Sequence, residues 1–124
     1  MNRTKYLSKT ITLPSETPPG QLEHEITLEL PFNACTGVAV YEHSDGASAY
    51  QIGLSDDNEV FHHLTDKRDW IASEQVSPNE RYKNILIPVT GNRMLIRTKH
   101  ATQTNGALSF EIVFRLEKLP NGRD

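Results

Sequence analysis

Cysteine is nearly missing from this chain: Cys35 is the only one among 124 residues. Without a second thiol no internal disulfide framework forms, which suits a reducing compartment. Long apolar runs are missing too, since nothing approaches the roughly 20 residues that span a bilayer. Met1 to Lys9 lacks the apolar centre of a signal peptide, so the expectation is synthesis in the cytoplasm without membrane insertion. Nor is there an excess of positive charge. The 13 Lys and Arg are interspersed among 16 Asp and Glu, and the net charge is -3. That is no basic footprint for neutralising phosphates, so direct contact with nucleic acid is not expected. Spacings of three and four residues are nowhere sustained over three turns, and no long repeat occurs, which leaves helix as a minor component.

What the chain does have is a period of two. Leu108, Phe110, Ile112, Phe114 and Leu116 alternate with Ser109, Glu111, Arg115 and Glu117, so one strand face meets a core and the other meets water. Leu22 to Leu30 repeats the alternation, with Leu22, His24, Ile26, Leu28 and Leu30 opposed to Glu23, Glu25, Thr27 and Glu29. In Tyr6 to Leu13 the parity of Leu7, Ile11 and Leu13 is interrupted by Lys9, which places that strand near a sheet edge. Thr36 to Glu42 turns Val38 and Val40 inward and Tyr41 to the other face. The cluster Ser44, Asp45 and Gly46 then predicts a tight hairpin into the strand of Tyr50, Ile52 and Leu54. Val60 to Leu64, Ile85 to Val89 and Met94 to Thr98 complete the set. Pro14, Pro18, Pro19 and Gly20 define a loop. Thr65 to Arg81 admits a covering loop, a short helix or an edge strand.

About eight short strands parted by glycine, proline and asparagine turns predict a single all-β domain over residues 1–124, an antiparallel two-sheet sandwich. Strand count favours a jelly roll over an immunoglobulin-like sandwich. Residues 1–5 and 118–124 are expected as flexible tails.

Chemistry-bearing patterns are thin. His62 and His63 are neighbours, which a regular strand points to opposite faces, and the spacing of a cupin metal site is missing. Asp56, Asp57, Asn58 and Glu59, with Asp45, offer hard oxygen ligands for calcium, but a solvated turn uses the same residues. Glu23, Glu25 and Glu29 form an acidic stripe that reads as a solvated face. No serine lies in a nucleophile elbow and no glycine-rich phosphate loop occurs. Cys35 reads as a small buried apolar residue. The expectation is a non-enzymatic protein without cofactor, metal or catalytic residues. Two aromatics are candidate interface anchors: Trp70, a large ring in an otherwise polar stretch, and Tyr82.

The segment Thr36 to Leu116, about two thirds of the chain, resembles the single jelly-roll penton proteins at the vertices of tailless, membrane-containing phages. The residues that carry the resemblance begin with Thr36, Gly37 and Val38 opening a strand that holds Tyr41, then the turn Asp45 and Gly46, and Tyr50 and Ile52. Further along come Tyr82, the run Ile87, Pro88 and Val89 with Gly91, Arg97 in the next strand, and Phe110 and Ile112 in the last. The longer stretch from Leu64 to Tyr82 departs from that family. The resemblance implies a structural virion protein of vertex, minor-capsid or decoration type, assembled in the host cytoplasm as a homo-oligomer beside other capsid or spike proteins. A ring of identical copies needs two different complementary patches on each. The alternative is a carbohydrate- or receptor-binding sandwich that uses Tyr41, Tyr50, Trp70 and Tyr82 as a platform.

Overall fold

Alternation of side chains has its expected consequence in the computed structural model, which describes residues 4–14, 16–27, 32, 34–43, 49–56, 59–71, 82–88, 93–101 and 107–118. Eight strands occur there: β1 (Thr4–Leu13), β2 (Gly20–Thr27), β3 (Ala34–Glu42), β4 (Gln51–Ser55), β5 (Val60–Asp66), β6 (Lys83–Pro88), β7 (Arg93–His100) and β8 (Leu108–Glu117). They form two antiparallel four-stranded sheets. The first runs in the order β1-β8-β3-β6 and the second β2-β7-β4-β5. Pairing is nested, because β1 lies beside β8, β2 beside β7, β3 beside β6 and β4 beside β5.

β8, the strand with the cleanest alternation, has a neighbour on both sides. Its inward residues Leu108, Phe110, Ile112, Phe114 and Leu116 are buried, and they meet Ile52, Leu54, Met94 and Ile96 of the second sheet in one apolar cluster. The interrupted strand β1 is an edge, as its pattern predicted. Fully burying a side chain of this kind contributes about 1.5–3 kcal/mol, so the sandwich is held chiefly by these inner faces.

Two expectations are corrected. Thr36–Glu42 and Tyr50–Leu54 do not form a hairpin: β3 pairs with β6 and β8, whereas β4 pairs with β5 and β7 in the other sheet. Both strands bury apolar side chains against the same core, and packing across two layers satisfies that as fully as pairing side by side. Asp45 and Gly46 lie outside the described residues. Thr4 and Lys5, expected in a flexible tail, belong to β1 and pair with Glu117 and Leu116. Of the ambiguous stretch from Thr65, the first residues extend β5 to Asp66. A single 3-10 turn, Lys67–Asp69, then follows, its Arg68 amide capped by the Asp66 carboxylate. Residues 72–81 lie outside the described residues.

Where β3 ends and β4 begins, the sheets are tied by a half-buried polar contact. Tyr50 donates its hydroxyl to Glu42 Oε2 at 3.0 Å, and Lys67 Nζ reaches the same oxygen at 3.0 Å. Burial, and Glu42 beside it, push the Tyr50 phenol well above its ordinary range, so it remains a neutral donor.

Candidate interaction surface

On the solvent face of the first sheet, Tyr6 of β1 stands opposite Arg115 of β8. Arg115 stands opposite Gly37 of β3, and Gly37 opposite Asn84 of β6. This row crosses all four strands. A register shift between Cys35 and Gly37 makes Thr36 an extra residue, and such a bulge re-aims side chains that regular pairing would send inward. Thr36 thereby serves Arg115 twice: Arg115 Nε donates to Thr36 Oγ1 and Arg115 Nη2 to the Thr36 carbonyl, both at 3.0 Å. Arg115 Nη2 also reaches Asn84 Oδ1 at 3.4 Å, while the Thr36 hydroxyl donates to Glu117.

Gly37 provides the room for this. A Cβ there would sit 2.8 Å from Arg115 Nη2 and 2.9 Å from its Cζ, so only a residue without a side chain lets the guanidinium lie on the strand. The Tyr82 ring covers the guanidinium from outside at 5.2 Å, within the range of a cation–π contact. Tyr6 leans against Tyr82 with centroids 5.8 Å apart and planes at 49°. Burial pushes the Tyr82 phenol up, helped by Tyr41, which hydrogen-bonds it. Tyr6 remains 53% exposed and Leu86, on the same face of β6, 69% exposed. The result is a rigid tyrosine–arginine platform with an apolar margin. Tyrosine and arginine are the residue types that dominate binding energy at protein interfaces, and pre-ordered side chains lose little entropy on docking.

Of the two sequence-predicted anchors, Tyr82 lies in this platform. Trp70 does not, and its expected role as a surface anchor is corrected. The indole is 2% exposed and belongs to the core cluster. Its Nε1 donates to the Ile52 carbonyl at 3.1 Å and to Thr65 Oγ1 at 3.0 Å. A polar stretch around it signals the outer rim of the sandwich, whose one large ring turns inward as a plug. Nothing in the sequence pattern links Tyr6 and Arg115 to Tyr82. Parity alone puts Arg115 on the solvent face, but Tyr6 belongs to one edge strand and Tyr82 immediately precedes the other, so the two meet only across the full width of the sheet.

The other candidate groups are dispersed. Cys35 is fully buried, and burial pushes its thiol up to about 11. Glu23 and Glu25 of the acidic stripe are paired with Arg97 at 2.9 Å and Arg93 at 3.2 Å. Asp56 Oδ1 accepts from the Glu59 amide at 2.8 Å, a bond internal to the turn. Asp57 and Asn58 lie outside the described residues. Among the described residues no three His, Cys, Asp or Glu side chains converge as a metal site, and no helix is long and apolar enough to cross a membrane. Compared with known proteins, the chain matches no family model and no curated sequence.

Proposed function

We propose that this chain is a non-enzymatic structural virion protein, of vertex, minor-capsid or decoration type, that works by self-assembly and by contacts with other coat or spike proteins. The observation that carries the proposal is the tyrosine–arginine platform: interface-type side chains, fixed by hydrogen bonds on a rigid sheet and open to solvent. The nested pairing, β1 with β8 inward to β4 with β5, supports reading the sandwich as a jelly roll. That reading agrees with the penton-like order of residues in the sequence. Homo-oligomerisation through the platform gives a heterologous contact, in which the face of one copy meets a different surface of the next.

Sedimentation velocity and light scattering over a concentration series test the proposal. Discrete ring-sized species that weaken on Arg115→Ala or Tyr82→Ala are the expected result. A chain that stays strictly monomeric over the whole series overturns it. The half-exposed Tyr6 ring gives the second reading, a carbohydrate- or receptor-binding module, its one specific support, because a flat open ring suits the apolar face of a sugar. Retention of the monomer on a glycan array selects that reading instead.

A further inference from the structure

On the side of the sandwich where the edge strands β5 and β6 face each other, Trp70 plugs the gap beneath a polar cluster. Asp69 is its centre. One carboxylate oxygen takes Lys83 Nζ of β6 at 3.0 Å, and the other takes the Thr65 hydroxyl of β5 at 2.9 Å. No backbone hydrogen bond joins β5 to β6, so the Lys83–Asp69 contact ties one sheet to the other here. His62 of β5 lies against the plug, its ring centroid 4.5 Å from that of Trp70.

The protonation geometry of His62 follows from its partners. Nδ1 lies 2.7 Å from the His63 carbonyl, which can only accept, so Nδ1 carries the proton of the neutral ring. Nε2 then presents a lone pair to Asp69 Oδ2, 3.7 Å away. Acceptor faces acceptor. A second proton on the ring converts this contact into an ion pair. Among the described residues, the other charged and titratable groups around His62 are Lys83, which already occupies the far oxygen of Asp69, and His63 and Arg97, which line a shallow cavity beside it. Arg97 is drawn away by Glu23 at 2.9 Å and Ser55 at 2.6 Å.

We propose that His62 and Asp69 form a proton-operated clasp: protonation of His62 tightens the tie between β5, the Lys67–Asp69 turn and β6 and so closes this side of the sandwich. The device is independent of the assembly reading and works on the isolated chain. Asp69 is prepared for it, since Lys83 and Thr65, with His62 adding, hold its carboxyl below the usual range and keep it anionic as the pH falls.

The single tryptophan makes the clasp observable, because a protonated imidazole against an indole quenches its emission. Acidification of the whole chain through the histidine range is expected to lower Trp70 emission reversibly, and His62→Gln to abolish the step. Protection of β5 and β6 amides, corrected for intrinsic exchange, rises roughly two- to fivefold over the same range. Asp69→Asn keeps the quenching and loses the gain in protection. Emission that stays flat, a step that survives His62→Gln, or a protection gain that survives Asp69→Asn overturns the clasp. Should His62→Gln fail to fold, Asp69→Asn decides alone.

Discussion

Gly37→Ala separates the platform from the stability of the fold. The new Cβ would start 2.8 Å from Arg115 Nη2 and needs about 3.4 Å for ordinary contact, so the guanidinium withdraws by about 0.6 Å. Its bond to Asn84, already 3.4 Å, leaves hydrogen-bonding range, and the two 3.0 Å bonds to Thr36 lengthen beyond it. For a half-exposed cation that water can resolvate, their loss costs about 1 kcal/mol in total. Replacing glycine by alanine in a strand returns about 0.5–1 kcal/mol of backbone entropy. The net change is within about 1 kcal/mol, a shift in Tm of no more than roughly 4 °C for a domain of this size. Binding behaves differently. A displaced Arg115 no longer supports Tyr82, and under the proposed assembly the expected outcome is self-association weakened about tenfold or more. Calorimetry and sedimentation velocity on the same variant read the two quantities, and the Arg115 Nε resonance reports the displacement. An unmoved resonance refutes the packing argument, whereas a displaced guanidinium with unchanged association refutes the role of the platform.

Three further outcomes are expected. Cys35, with its thiol pushed up to about 11 by burial, reacts with a disulfide reagent at pH 8 only on the timescale of unfolding; rapid labelling of the native chain would contradict the buried placement. His24 has its pKa lowered from the ordinary 6.5 by burial and then by Lys9, so the unfolded chain takes up that proton first. Its contribution to stability is therefore complete above about pH 6.5 and is lost as the pH falls toward the folded value. Urea midpoints measured across that window should fall more steeply with acidification in the wild type than in His24→Gln; identical slopes would rule this out. Phe110→Ala removes a fully buried ring that stacks on Tyr50 at 5.0 Å and destabilises the domain by about 3–5 kcal/mol, read from urea unfolding; a loss below about 1 kcal/mol would mean that the core closes over the gap.

Much of the scaffold was legible because burial on one face imposes a local code. A period of two marked β8 and β2, and Lys9 interrupting the parity of β1 marked an edge that lacks a second neighbour. The code reports which face is inward and nothing about which strand lies alongside. Ser44, Asp45 and Gly46 suggested adjacent pairing of β3 and β4, yet those strands bury their apolar sides from opposite layers. Trp70 illustrates a related limit: polar neighbours in sequence describe its turn, whereas the space between β5 and β6 dictates where the indole goes.

Composition and alternation alone therefore determined the all-β class, the inward residues of β8 and the buried setting of Cys35, because these depend on solvation residue by residue. Strand order, the bulge at Thr36, the burial of Trp70 and the meeting of Tyr6, Tyr82 and Arg115 were decided only by the tertiary structure. Each requires residues distant along the chain to compete for the same space, and spatial competition leaves no periodic trace in sequence.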